Sequence, residues 1–167
     1  MDIEIKSTET TDLEFLNKNL PTNIPHFHEN NIADHDNGTA DWLIAYKDNL
    51  PVGHFLIRYD GCHNEYVKQY ISNCAHLEAG GVKEEYRRQG IGTALIKKAE
   101  ELAREKGFKK IGMAVGAHDN PKARKLYEDL GYKEWDRGTF DESWKIINKE
   151  GEEVDEVEIC TYLIKLL

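Results

Sequence analysis

No apolar run in this sequence approaches the length needed to span a bilayer. Its amino-terminal Met-Asp-Ile-Glu-Ile-Lys also lacks the basic region and apolar core of a secretory leader. The expectation is a cytoplasmic protein with no membrane partner. Cysteine is scarce: Cys62, Cys74 and Cys160 are an odd number at wide spacing, which argues against a disulfide framework. Cys74 and Cys160 lie in apolar stretches and are expected to be small buried hydrophobes. No Cys-x-x-Cys or His-x-x-x-His pair supports Cys62, His63, His54 or His76 as metal ligands, so no metal is expected. Positive charge is in deficit, with 22 Lys and Arg against 31 Asp and Glu and a net charge of -9, which disfavours nucleic acid as a partner. An acidic surface of this kind favours a cationic substrate, and an amine is one at neutral pH. Internal repeats and low-complexity linkers are missing too, and 167 residues fit one domain, residues 1–167, with a single substantial core.

What the chain does have is concentrated in residues 82–94, Val-Lys-Glu-Glu-Tyr-Arg-Arg-Gln-Gly-Ile-Gly-Thr-Ala. A strand ending at Val82 leads into a charged turn, then Gly90 and Gly92, then a long helix. The free N–H groups and the positive dipole end of that helix form an anion site. Arg87 and Arg88 add charge beside it, so the segment predicts a phosphate or pyrophosphate ligand. The loop has no Gly-Lys-Ser/Thr of a Walker A motif and no third glycine of a dinucleotide fingerprint.

A second segment runs from Asn120 to Tyr132, Asn-Pro-Lys-Ala-Arg-Lys-Leu-Tyr-Glu-Asp-Leu-Gly-Tyr. Asn120 suits an N-cap, Pro121 the first helical position and Gly131 the left-handed residue past the end. Ala123, Leu126, Tyr127 and Leu130 recur at helical spacing and predict a buried stripe, in which Tyr127 is either a core aromatic or a functional group.

Together the two segments resemble the GNAT superfamily of acyl-CoA-dependent N-acyltransferases. Arg87-Arg88-Gln89-Gly90-Ile91-Gly92 is similar to that family's pyrophosphate loop, and Asn120–Tyr132 to its Asn-x-x-Ala-x-x-Leu-Tyr-x-x-x-Gly-Phe/Tyr segment. The resemblance implies a mixed α/β fold: a central, mostly antiparallel twisted sheet of six to seven strands, splayed at strands 4 and 5 and flanked by about four helices. It further implies transfer of an acetyl group from acetyl-CoA to a small-molecule or peptide amine by direct attack, without a covalent enzyme intermediate. A catalytically inactive acyl-CoA-binding regulatory module is the alternative, and the resemblance leaves a homodimer open.

Element order agrees. Ile3–Lys6 alternates as a first strand, and Thr11-x-x-Glu14 reads as a capping box for a helix carrying Leu13, Leu16 and Leu20 and stopped by Pro21. Residues 21–40 are polar and predict a short irregular helix and a loop. Trp42–Tyr46 and Val52–Tyr59 predict a hairpin, and 60–72 a loop with an apolar element at Tyr66, Val67, Tyr70 and Ile71. Cys74–Val82 is the expected central strand, Ile91–Lys106 the best helix and Lys110–Val115 the next strand. A short helix starts at Pro121, and Trp144–Ile147 and Val157–Ile164 close the sheet.

Carried over residue by residue, the resemblance assigns cofactor contacts to the loop Arg87, Arg88, Gln89, Gly90, Ile91, Gly92 and Thr93. The backbone of Gly80, Gly81 and Val82 is assigned to the pantetheine arm, as are Asn120, Ala123 and Tyr127. The Gly80-Gly81 pair departs from the apolar or small pair usual in relatives; two glycines permit a bulge and close ligand approach. Tyr127 falls where relatives carry the tyrosine that protonates the departing thiolate. Val115 occupies a position that is glutamate in some relatives and cannot act as a base. Glu78 and His76, on one face of the central strand by alternation, are the candidates, Glu78 foremost, with a water chain or His118 as alternatives.

Overall fold

The computed structural model describes residues 2–167. Its core is built on strands whose consecutive side chains are buried on both faces. In β2 (Ala40–Lys47), Leu43 and Ala45 point to one side of the sheet and Trp42 and Ile44 to the other, and all four are buried. The first side is covered by α4 (Ile91–Glu105), the second by α1 (Leu13–Asn19) and α2 (Phe27–Asp36). Burying one such side chain contributes roughly 1.5–3 kcal/mol, so these two layers carry most of the stability.

The other strands are β1 (Glu4–Ser7), β3 (Leu50–Arg58), β4 (Ala75–Val82), β5 (Lys110–Gly116), β6 (Lys133–Glu134), β7 (Phe140–Ile147) and β8 (Glu153–Leu166). Their order is β1-β2-β3-β4-β5-β8-β6, with β7 also paired to β8, and every pairing is antiparallel except β4 with β5. That parallel pairing holds only at Ala75↔Ile111, His76↔Gly112 and Leu77↔Met113. Beyond Leu77 and Met113 the two strands separate, which is the splay the resemblance implies.

Helix α4 buries Ile91, Leu95, Ile96, Ala99 and Ala103 at helical spacing. Gly90 (φ 81) opens it, and Gly107 (φ 87) closes it, with Phe108 N–H donating to the Ala103 carbonyl at 3.0 Å. Glu100, buried on α4, accepts from Lys165 Nζ (2.9 and 3.0 Å) and Tyr132 Oη (3.0 Å), tying the helix to β8 and to the segment that leaves α5 (Pro121–Asp129).

Several expectations need correction. The Thr11–Glu14 capping box is not the one formed: Glu9 N–H donates to Asp12 (3.1 Å) around a single 3-10 turn, and α1 starts at Leu13. Residues 21–40 hold the regular ten-residue helix α2, entered through left-handed His26 (φ 55). Its buried residues include His28 and Asn31 as well as Ile32, so no apolar periodicity announces it. Inside 60–72 lies the short helix α3 (Glu65–Lys68), whose Asn64 cap accepts from the Tyr66 and Val67 amides. The sheet has eight strands, through the addition of the two-residue β6, and the four-residue α3 raises the α-helices from about four to five among the described residues.

Candidate functional site

Where β4 and β5 separate they leave a cavity of about 210 Å³ lined by Glu78, Gly80, Val115, Asn120, Ala123 and Tyr127, among others. It passes through the sheet. Leu77, Met113 and Tyr127 come from the α4 side, while Glu78 and Glu158 come from the opposite side.

The glycine loop lies at the start of α4. Among the described residues, no amide from Arg88 to Thr93 donates to a protein acceptor, whereas Ala94 N–H already closes the first helical bond onto Gly90. Left-handed φ values at Arg88 (64) and Gly90 (81), flanking Gln89, are the backbone form that turns successive N–H groups to one side. A cradle of adjacent unpaired donors at a fifteen-residue helix's N-terminus fits a multiply charged anion. A Cβ on Gly92 would find only Leu126 Cδ2, at 3.8 Å, which places α5 alongside. The side chains of the loop do different things. Arg88 is exposed, while Arg87 Nε donates back to the Val82 carbonyl (3.0 Å). Gln89 bridges Lys47 and the Glu85 carbonyl (3.2 and 3.4 Å). Ile91 is a core residue, so only its amide can serve a ligand.

From α5, Asn120 (φ 50) lines the cleft and caps the helix by accepting from Ala123 N–H at 3.2 Å, which leaves its own Nδ2 without a protein partner among the described residues. The Ala123 amide is thereby used, and only its methyl lines the cavity. The Tyr127 hydroxyl has no hydrogen-bond partner among the described residues, and burial raises its pKa, so it stays protonated.

On β4, the edge of Gly80, Gly81 and Val82 facing β5 is unpaired, while Gly81 and Val82 pair with His54 and Gly53 of β3 on the other edge. The glycine pair has a steric cause. A Cβ on Gly80 would sit 2.6 Å from the Phe55 ring, and one on Gly81 2.9 Å from the His54 ring. The expected bulge is there: Leu56 pairs with Glu78 and His54 with Gly81, so β4 has one residue more than β3 between them.

His76 and Glu78 do share a face, with His76 Nε2 3.5 Å from Glu78 Oε2. His76 is buried, its ring stacked on Tyr162 (centroids 5.8 Å apart) and its Nδ1 3.0 Å from the Tyr162 hydroxyl. Burial disfavours charge on His76, but Cys62 and the Glu78 carboxylate outweigh it and bring its pKa up to about 9. For Glu78, burial works against ionisation, yet His76 and then Arg58 pull its pKa below the ordinary carboxylate value. The pair is therefore a carboxylate beside an imidazolium.

Sequence reasoning missed the residues behind this pair. Arg58, buried on β3, donates through Nη1 and Nη2 to Asp34 of α2 (2.7 and 2.9 Å), and its Nη1 lies 3.5 Å from Glu78 Oε1. An arginine at the end of the apolar run Val52–Arg58 was the available signal. Glu158 of β8 also lines the cavity, and its cross-strand partner Glu142 on β7 is held above its ordinary pKa, first by burial, although His76 acts against this. His118 is exposed in the loop before α5. Among the described residues, no group of His, Cys, Asp and Glu has the form of a metal site, and no helix is long and apolar enough to cross a membrane.

Comparison with known proteins adds four findings. Residues 8–132 match the family model described as the acetyltransferase (GNAT) family. The thialysine N-epsilon-acetyltransferase of Sus scrofa is 36% identical over 107 residues, 64% of this chain and 60% of that protein, so the chain spans about three fifths of its relative's length. An N-alpha-acetyltransferase of Sulfurisphaera tokodaii is 28% identical over 140 residues, 80% of this chain and 81% of that protein. Among solved structures, the PaiA N-acetyltransferase of Thermoplasma acidophilum, in complex with coenzyme A, superposes with a TM-score of 0.65 over all of both chains at 19% identity, a likeness of fold.

Proposed function

The chain belongs to the GNAT acetyltransferase family, and from that premise we propose that it transfers an acetyl group from acetyl-CoA to a primary amine, by direct attack and without an acyl-enzyme. One observation carries the reading: the partnerless Tyr127 hydroxyl and the ionised Glu78 line the same cleft, beside a run of unpaired amides at the α4 N-terminus. The residues fit the donor. The amides of Arg88 to Thr93, with the Arg88 guanidinium, hold the pyrophosphate. The open edge of Gly80 to Val82 and the Asn120 amide hold the pantetheine arm.

An alkyl amine, with a pKa of about 10.4 on the lysine scale, must lose a proton before it attacks. Glu78, ionised at neutral pH, takes that proton directly or through one water. His76, held as a cation, and Arg58 fix its orientation. Tyr127, kept protonated by burial, gives its proton to the departing thiolate, a role that contributes typically about 10²- to 10⁴-fold. The acids Glu78 and Glu158 lining the cleft favour an acceptor that arrives as a cation. We place this activity in one domain spanning residues 1–167. Its compartment is the cytoplasm, which suits three cysteines that are buried and unpaired.

The test is thiol release from acetyl-CoA with a panel of amines: thialysine and lysine, peptide amino termini and short diamines. Amine-dependent release is expected. Acetyl-CoA binding without release for any amine would transfer the assignment to the inactive acyl-CoA-binding module.

A further inference from the structure

One residue of β4 stands in a conformation that L-residues rarely adopt inside a strand: Ala79 has φ 55. It and Gly80 form the bulge opposite Phe55, and neither has a Cα partner in β3 or β5. The Ala79 carbonyl thus sits outside the regular ladder register. It accepts instead from a side chain, His54 Nδ1, at 2.6 Å.

The His54 ring is itself held from several directions. Phe27 meets it edge-on with centroids 5.2 Å apart, and Trp42 lies 5.1 Å away. Gly81 offers a bare Cα beneath the ring, where a Cβ would meet it at 2.9 Å. Burial lowers its pKa to about 4, so the ring is neutral at physiological pH, and donation to a carbonyl places its proton on Nδ1. This donor is thus present in a single tautomer.

A trans peptide sets the carbonyl of one residue antiparallel to the N–H of the next, and no peptide among the described residues is cis. With the Ala79 carbonyl turned to His54, the Gly80 N–H turns away from His54, and Gly80 lines the cleft. Without His54, the 79–80 peptide is free to rotate through ψ of Ala79 and φ of Gly80, where glycine imposes little steric barrier, and that rotation would remove the amide from the cleft.

We propose that His54 is a positioning residue for acyl transfer: by holding the Ala79 carbonyl it keeps the Gly80 amide in the cleft as a donor to the carbonyl oxygen of the bound thioester. Negative charge develops on that oxygen during attack, and a backbone donor already aimed at it acts without reorganisation. The proposal rests on the acetyltransferase reading and goes beyond it.

The experiment uses the full chain labelled with [15N]glycine, which gives at most 13 amide signals, titrated with acetyl-CoA. In the wild type, Gly92 reports the anion loop and Gly80 the bulge, and both signals should move. In His54→Phe, which keeps an aromatic ring and removes the donor, Gly92 should move and Gly80 should not. Turnover at saturating acetyl-CoA should fall about 100-fold, with acetyl-CoA affinity changed less than about threefold. His54→Gln, whose amide can donate to the same carbonyl, should regain at least tenfold of the lost turnover.

Gly80 moving equally in His54→Phe, or unaltered turnover, overturns the proposal. So does a Gln variant no better than Phe, which would mark a packing role. If Gly92 moves in the wild type while Gly80 stays still, this inference alone fails. If neither moves, the acetyltransferase reading fails with it.

Discussion

The two sides of the cleft are made differently. The donor side, comprising the Arg88–Thr93 amides, the α4 N-terminus and the Asn120-capped start of α5, is built from neighbours in the chain. Its chemistry is that of helix ends, where N–H groups lack partners for geometric reasons, so any sequence that starts a helix there carries the site with it. The acceptor side is a network of side chains from α2, β3, β4, β7 and β8, in which Asp34, Arg58, Glu78, His76 and Tyr162 form one chain of contacts. None of these is close to its partner in sequence except His76 and Glu78. Backbone sites thus tolerate substitution around them and fail when a bulky or charged group enters. Side-chain networks fail when any member is removed.

That contrast can be broken or sharpened by mutation. The largest effect is expected on the donor side. Gly92→Glu has room for its Cβ but places a carboxylate at the anion site, and should abolish acetyl-CoA binding by calorimetry with the melting temperature little changed. Near-normal binding would deny the loop its role. Tyr127→Phe should lower kcat about 10²- to 10⁴-fold with acetyl-CoA affinity retained, measured by thiol release. Unchanged turnover removes Tyr127 from the mechanism.

On the acceptor side, Glu78→Gln should cut kcat and flatten its rise with pH, and an unaltered pH profile would assign proton removal to water. Arg58→Met leaves Asp34 without its cation and Glu78 with His76 alone. Chemical denaturation should show a loss of about 3 kcal/mol, and the acid limb of kcat/KM should move to higher pH as the Glu78 pKa rises. A stable variant with an unmoved limb would detach Arg58 from the site.

The smallest effect concerns His76. Its pKa is about 9 in the folded chain and about 6.5 when unfolded, so its charge stabilises the fold fully below pH 6.5, and this contribution is lost as pH rises through 9. The stability advantage of the wild type over His76→Gln should therefore shrink by up to about 3 kcal/mol between pH 6.5 and 10. A constant difference would mean that His76 is neutral throughout.

Legibility followed the same division. The boundaries of α4 and α5 could be read within a residue or two, because Gly90, Gly107, Asn120 and Gly131 are local punctuation. The pairing of Glu78 with His76 followed from strand alternation. Residues 21–40 predict a short irregular helix, and the length and regularity of α2 escape the sequence because its inward face uses His28 and Asn31 instead of an apolar stripe; His28 Nε2, for example, lies 2.8 Å from the Leu20 carbonyl. The glycine pair at 80 and 81 was read as room for a ligand. The structure adds a second cause, the Phe55 and His54 rings lying across it, which no inspection of β4 alone could supply.

By itself, then, the sequence determined where the glycine-opened helix α4 begins, which tyrosine follows at family spacing and which strand lies between, because each depends on residues within a turn or two of one another. Only the tertiary structure decided how Glu78 is charged, what holds Arg58 beside it and why Ala79 stands in a strained bulge. Those properties come from burial and from side chains distant in sequence, and electrostatics inside a protein depends on distance in space.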